Sequence, residues 1–417
     1  MTASRSSESK NAQGSSFRFV MAAVVLLLTF SIGLSWFAVA PITPLIMAEF
    51  NINRGTASLL ISLIALTGLI LGIPGGVVIN RIGARKAIFI GAVLASLPAL
   101  SFLAEDYFLL LLMRIALGAG IALFFSAVGP LVMQWFGPKE LPIFNGLWAG
   151  AMVFGTAVSS FLVVPLSDAL GWKLGLSVLG GASLICGVCW VVVSQNLQFS
   201  ATEVRKFSIT DSVKVMKSRN TLLIAAADAG PYALLGAVST WLPTFYHEVH
   251  GMSLVKAGSL MGILSLSGTC SLIATILIVR WMTHRRILLI VPGVIVGFAG
   301  FGSFLLADTP LVYLAIIALG VCFWMYMPAL FTIPMELPGA DPNKVAITFG
   351  TLMSVGSGVA MLSPFIVGFT TDLLGSYVPA FSLFSVLAWS LLIAGILLPE
   401  TGPTSQTSSP PASRKRG

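Results

Sequence analysis

The chain has 417 residues, of which 57% are hydrophobic and only 9% charged, with a mean hydropathy of +0.97. Soluble domains carry about 25% charged residues, so a water-soluble fold of this length is excluded and lipid must be the solvent for much of the chain. The net charge of +8 does not point to nucleic acid, because the basic residues sit in short loops between apolar runs and form no continuous face.

Residues 1–18 form a polar, Ser-rich tail of the kind that stays disordered. The first apolar run ends in Ala38-Val39-Ala40, which looks like a signal-peptidase site. The run from Phe19 is too long for a signal peptide and Pro41 follows at once, so an uncleaved first span is expected. A span needs about 20 apolar residues. By that measure the chain holds twelve, near 19–41, 57–79, 87–104, 107–132, 144–166, 173–194, 220–244, 257–279, 287–306, 311–334, 346–370 and 378–398. Residues 195–219 form the one long hydrophilic link, and 399–417 a second polar tail. The expectation is an all-α membrane protein: a six-helix half at 19–194, a linker, and a six-helix half at 220–398.

Lys and Arg set the orientation. With the N-terminus inside, nineteen of them fall on the inner side, against Arg54, Lys173 and Lys256 outside and Arg114 alone within a span. Both termini are therefore expected in the cytoplasm of an inner-membrane protein that spans the bilayer many times. Spans 5 and 11 repeat one another: Gly146, Asp168 and Gly171 fall on Gly350, Asp372 and Gly375 at a constant offset of 204. The elbow after span 8, with Arg280, Arg285 and Arg286, echoes the one after span 2, with Arg81, Arg85 and Lys86. Two parallel six-span halves are a transporter signature. Gly68-x-x-x-Gly72-x-x-x-Gly76 in span 2 and Gly146-x-x-x-Gly150 in span 5 have the spacing of helix-packing faces.

The elbow Gly76-Val-Val-Ile-Asn80-Arg81-Ile-Gly83-Ala-Arg85-Lys86 resembles the major facilitator superfamily signature Gly-x-x-x-Asp-Arg-x-Gly-x-Arg-Lys, with Asn80 in place of Asp. Arg114-Ile-Ala-Leu-Gly118 is similar to that family's span-4 motif, and the resemblance covers residues 19–398. It implies alternating access about a cavity lined by spans 1, 4, 7 and 10, with the elbow as the cytoplasmic gate. Trp241-Leu-Pro-Thr-Phe-Tyr246 and Asn145-Gly-Leu-Trp148 look like the cyanate and nitroimidazole transporter-like branch. That branch tends to carry an Arg late in span 1. Ser35–Pro41 holds none, which counts against a small-anion substrate. The absence of the span-5 Gly-Pro motif of family antiporters counts against drug/proton exchange. Independently of the family, Gly83 accepts the positive φ of a tight turn, and the elbow cations suit helix C-termini and anionic lipid.

Only Arg114 and Asp228 are ionisable well inside spans, at about 10 Å and 12 Å from opposite faces at 1.5 Å per residue. Such residues mark function by default. Asp228 reads as the proton-titrating carboxylate, and Arg114 as the holder of an anionic group or the partner of Asp228. A static pair that only fixes packing is the structural alternative. Gly230-Pro231 reads as a bend or an unwound turn, with Tyr232 offering a hydroxyl beyond it. Trp36, Trp324 and Tyr326 suit an organic substrate in a mostly apolar pocket, or ordinary bundle packing. Trp241, Phe245 and Tyr246 read as an interfacial aromatic belt, and Asp168, Glu248, Asp308 and Asp372 as solvated loop ends.

Cys186 and Cys189 have redox spacing but lie mid-span, where small packing residues are expected. His247-Glu-Val-His250 is one residue too short for the metalloprotease motif. No phosphate-binding loop is present, so the energy must come from a gradient. The expected function is secondary transport of a small-molecule organic solute, first as proton-coupled uptake (symport). Efflux or exchange, or a non-transporting membrane sensor, are the alternatives. An enzyme, a cofactor, a metal site and a nucleic-acid partner are not expected, and a monomer is. If Asn80 weakens the cytoplasmic gate by removing an ionic partner, Asn80→Asp should strengthen it. The expected outcome is slower labelling of a cytoplasmic-side cysteine by a thiol probe; unchanged labelling would detach the gate from this position.

Overall fold

A computed structural model of the chain describes residues 17–136, 140–195, 209–279, 284–337 and 342–401, without the side chains of 72–81 and some helix-end positions. Among these residues eleven helices are long and apolar enough to cross a bilayer, and Leu59–Ile82 supplies the twelfth span. Span 1 is Phe17–Trp36, continued through a 3-10 turn Ala40–Ile42 into Thr43–Phe50. A short helix, Arg54–Ala57, leads into span 2, Leu59–Ile82. Span 3 is Ala84–Ala95 with a 3-10 end Leu97–Leu103; spans 4, 5 and 6 are Tyr107–Trp135, Leu141–Leu170 and Trp172–Val193. A helix Ile209–Met216 lies within the link. Spans 7, 8 and 9 are Arg219–Glu248, Leu254–Val279 and Ile287–Leu305. Span 10 is Leu311–Met325 plus Met327–Glu336, span 11 Pro342–Leu374, and span 12 Val378–Leu387 plus Ser390–Leu397.

Side chains such as Ile185, Leu314, Phe298 and Leu373 are more than half exposed. Burial of apolar surface against protein therefore does not explain them; they face the lipid. Within each half, small residues let backbones approach. A Cβ on Gly155 would fall 2.2 Å from the Phe30 carbonyl, locking span 5 to span 1, and one on Gly120 would fall 2.5 Å from the Gly91 carbonyl, locking span 4 to span 3. These are not the expected packing glycines. Gly68 and Gly150 have open space where a Cβ would be, and Gly72 and Gly76 fall outside the described side chains.

The repeat is visible in backbone and side chain alike. Gly171 and Gly375 both turn the chain with positive φ, +84° and +67°, at the ends of spans 5 and 11. Arg85 of the first elbow donates to the Gln195 carbonyl at 2.9 Å, past the end of span 6, and to Ser194 Oγ at 3.1 Å. Arg286 of the second elbow donates to the Gly395 carbonyl at 3.1 Å and to the Ile396 carbonyl, at the end of span 12. Each elbow thus caps the last helix of its own half, where a cation is worth roughly 0.3–1 kcal/mol.

The halves meet through spans 5 and 8 and through spans 2 and 11. We call the face that carries the elbows the basic face. Away from it, a Cβ on Gly258 would lie 3.0 Å from the Ser160 carbonyl and one on Gly368 2.7 Å from the Arg54 carbonyl, both across the seam. Nearer the basic face, Gly150, Gly350 and Gly358 have open space around them. The close contacts of Gly258 and Gly368 across the seam thus lie at the opposing face.

Overpacking a close helix contact costs roughly 1–3 kcal/mol. Gly155→Val should accordingly lower the thermal unfolding midpoint of the detergent-purified protein by several degrees, while Gly150→Ala leaves it nearly unchanged.

Candidate functional site

Span 7 starts on Ser218, whose hydroxyl accepts from the Thr221 backbone N–H, and carries Asp228 nine residues inside Arg219. Asp228 is only 4% exposed. Its Oδ1 accepts a hydrogen bond from the hydroxyl of the wholly buried Tyr326 at 2.9 Å. Tyr326 stands at the joint between the two helices of span 10. The joint forms because Pro328 has no N–H to continue the helix and instead starts the next one. A break in sequence regularity thus aims a phenol at a carboxylate.

Tyr232 lies one turn beyond Asp228 on the same face of span 7. Gly356 of span 11 completes the wall: a Cβ there would sit 3.3 Å from Asp228 Oδ2 and 3.8 Å from the Tyr232 ring. Span 7 runs unbroken through Pro231, so the unwound turn expected as one alternative is absent. Two contacts support the helix there. Gly230 packs so closely on span 12 that a Cβ would overlap the Leu387 carbonyl, and Ser390 Oγ donates to the Ala226 carbonyl at 2.7 Å.

Of the other expected site residues, Trp324 is half-buried against span 8, where Gly268 leaves room for its ring. Trp36 is half-buried in the first half, stacked on Phe37 at 6.1 Å between ring centroids. Arg114 is 2% exposed and does not meet Asp228. Its Nη1 donates to the Ser35 carbonyl at 2.8 Å, and it borders a void of about 10 Å³ lined by Ser35, Ser101, Met113 and Leu176. These neighbours come from spans 1, 3, 4 and 6, so Arg114 points into the first half. In the elbow, Gly83 has φ of +85°, Arg85 makes the cap described above, and Lys86 is exposed. The side chains of Gly76, Asn80 and Arg81 lie outside the described residues.

A charged cluster that the sequence reading had dispersed into solvated loops closes the opposing face. Arg54, at the entry to span 2, meets Glu248 of span 7 at 2.6 Å and Asp372 of span 11 at 3.5 Å. Its Nε donates to the Tyr377 hydroxyl at 2.7 Å, which in turn donates to Glu248 at 2.9 Å. The Gly55 backbone N–H donates to Asp372 at 2.8 Å. Burial alone would lower the Arg54 guanidinium, but Glu248 and Tyr377 hold it above its ordinary value. Burial, and then the Glu248 charge, push the Tyr377 phenol up against the pull of Arg54. Five hydrogen bonds of this cluster join the two halves. The signal was present in the sequence: Arg54 is one of three cations on that side, and Asp372 is a repeated position.

Trp241, Phe245 and Tyr246 are also displaced from their expected role. They are 0%, 3% and 0% exposed, and so form core rather than an interfacial belt. Trp241 donates to the Pro364 carbonyl at 2.8 Å and Tyr246 to the Ser303 carbonyl. Four spans of the second half converge at this end and bury the rings, while the two polar tips find backbone partners.

Comparison with known proteins places this geometry. The family model for the Major Facilitator Superfamily matches residues 25–364. A hexuronate transporter of Bacillus subtilis is 23% identical over 391 residues, 88% of this chain and 91% of its own length. A probable nitrate transporter, NarT, of Staphylococcus haemolyticus is 32% identical over 142 residues, only 34% of this chain and 36% of that protein. Among solved structures, a bacterial homologue of the human lysosomal transporter Spinster superposes with a TM-score of 0.67 at 13% identity, covering 92% of this chain and 95% of that one.

The Arg54 cluster links three side chains across the seam, and removing its hub should cost about 1–2 kcal/mol, a five- to thirtyfold change in population. In a background without the four natural cysteines, Arg54→Ala should speed maleimide labelling of a cysteine at Ser160, buried at the span 5–span 8 seam. An unchanged rate would mean that the cluster does not hold the face shut.

Proposed function

Because this chain belongs to the Major Facilitator Superfamily, we propose that it is a secondary transporter that takes up a small organic acid together with protons, by alternating access. The observation that carries the reading is the buried Asp228 carboxylate held by Tyr326 at the joint of span 10. A carboxylate sequestered from water is costly unless hydrogen-bonded or protonated. When ionised, Asp228 accepts from Tyr326. When protonated, it gains an O–H of its own and can release the phenol to a solute. Proton and solute are thereby linked at one pair of side chains, with Tyr232 and the Gly356 surface beside them.

The near full-length likeness to a hexuronate transporter supports an organic acid as the solute. The charge bias of the loops supports the basic face as the cytoplasmic one, with both termini in the cytoplasm of a bacterial inner-membrane protein. The Arg54 cluster then serves as the outer gate, and the elbow of Gly76, Asn80, Arg81, Gly83, Arg85 and Lys86 as part of the inner one. The transporting unit is a monomer.

The test is uptake by proteoliposomes of glucuronate and a panel of small carboxylates, with and without an inward proton gradient. The wild-type protein should accumulate at least one of them only with the gradient. Asp228→Asn should abolish accumulation while retaining exchange of labelled for unlabelled solute. Tyr326→Phe removes a hydrogen bond to a charged group and should weaken gradient-driven uptake about tenfold or more. Full gradient-driven accumulation by Asp228→Asn would end the coupling role, and absence of uptake of every carboxylate by the wild type would end the substrate class.

A further inference from the structure

Arg114 presents a charge problem that the proposed transport site does not solve. The guanidinium is 2% exposed inside the first half, and its Nη1 is satisfied by the Ser35 carbonyl. Its Nη2 has no hydrogen-bond partner, and neither has the Oγ of Ser35, itself 2% exposed. The ion pairs among the described residues all lie elsewhere, so no carboxylate neutralises Arg114. An arginine stays protonated under all ordinary conditions, and an uncompensated charge away from water is strongly disfavoured.

Arg114 and Ser35 line the same void, of about 10 Å³. Its remaining lining is Ala38, Pro98, Leu110, Met113 and Leu176 with Ser101, whose hydroxyl is already committed to the Pro98 carbonyl at 2.7 Å. The void therefore offers two unspent donors, one of them cationic, and apolar walls. A space of this size admits one compact guest, a single water or a single ion. It is too small for an organic acid or any other polyatomic solute. A water could accept from both donors but would leave the positive charge uncompensated.

We propose that Arg114 Nη2 and Ser35 Oγ form a binding site for a single monatomic anion, a halide, buried between spans 1, 3, 4 and 6. The ion completes the hydrogen bonding of both donors and supplies the counter-charge that the sequence omits. It ties span 4 to span 1 within the first half and is separate from the solute site around Asp228. The inference stands independently of the direction, substrate and coupling of transport.

The test uses the full-length purified protein in detergent, with sodium chloride or sodium bromide exchanged for sodium gluconate at constant ionic strength. Tryptophan fluorescence reads the thermal unfolding midpoint. The wild type should be stabilised saturably by either halide, and crystals soaked in bromide should give an anomalous peak between Arg114 and Ser35. Arg114→Gln should remove the halide dependence. If that variant does not fold, Ser35→Ala keeps the test open: with one of two donors lost, the halide concentration for half-maximal stabilisation should rise about tenfold. Equal midpoints of the wild type in halide and gluconate would overturn the proposal. So would a halide effect unchanged by Ser35→Ala, which would mark an adventitious ion only, or a bromide-soaked crystal with a water alone at this position.

Discussion

In a hydrocarbon solvent each backbone N–H and C=O must find its partner within the protein, and the form of this molecule follows from that constraint. The long spans satisfy it by remaining helical. Where the helices break, protein covers the break. The turn that interrupts span 1 is buried at Ala38, Val39, Ala40 and Ile42. Pro98 and Ser101 are buried in the 3-10 end of span 3. Tyr326 and Ala388, at the joints of spans 10 and 12, are wholly buried. One such joint places Tyr326 against Asp228.

The same constraint acts on charge. Asp228 and Arg114 lie deep within spans, and each makes its hydrogen bond inside its own half. Asp228 is held by a phenol from span 10, and Arg114 by a backbone carbonyl from span 1. Neither of these two side chains hydrogen-bonds across the seam between the halves. Two rigid bodies can part only where few specific contacts join them. The joining contacts are instead gathered around Arg54 at the opposing face, where water can replace them when they open. Arg85 and Arg286 of the elbows, by contrast, donate to carbonyls within their own halves.

Glycine is used in two ways along these spans. Gly33 with Gly155, and Gly91 with Gly120, bring helices of one half into backbone contact. Gly150, Gly350 and Gly358 have open space where a Cβ would be. The four-residue spacing of small residues does not distinguish these uses, because spacing places a residue on a helix face and the neighbouring helix decides what that face meets.

Composition and pattern were sufficient for the number of spans, because a bilayer imposes length and polarity on every crossing segment independently of its neighbours; the family came from the resemblance of the elbow and the span-4 motif. Charge scarcity alone singled out Arg114 and Asp228. Tertiary structure decided what those residues touch. It separated the two, joined Asp228 to Tyr326, drew Arg54, Glu248 and Asp372 out of three distant loops into one cluster, and turned Trp241 and Tyr246 from interface to core. The physical reason is range. Span length and loop charge act locally along the chain, whereas the partner of a buried polar group is set by helix rotation and crossing, which depend on the packing of all twelve spans at once.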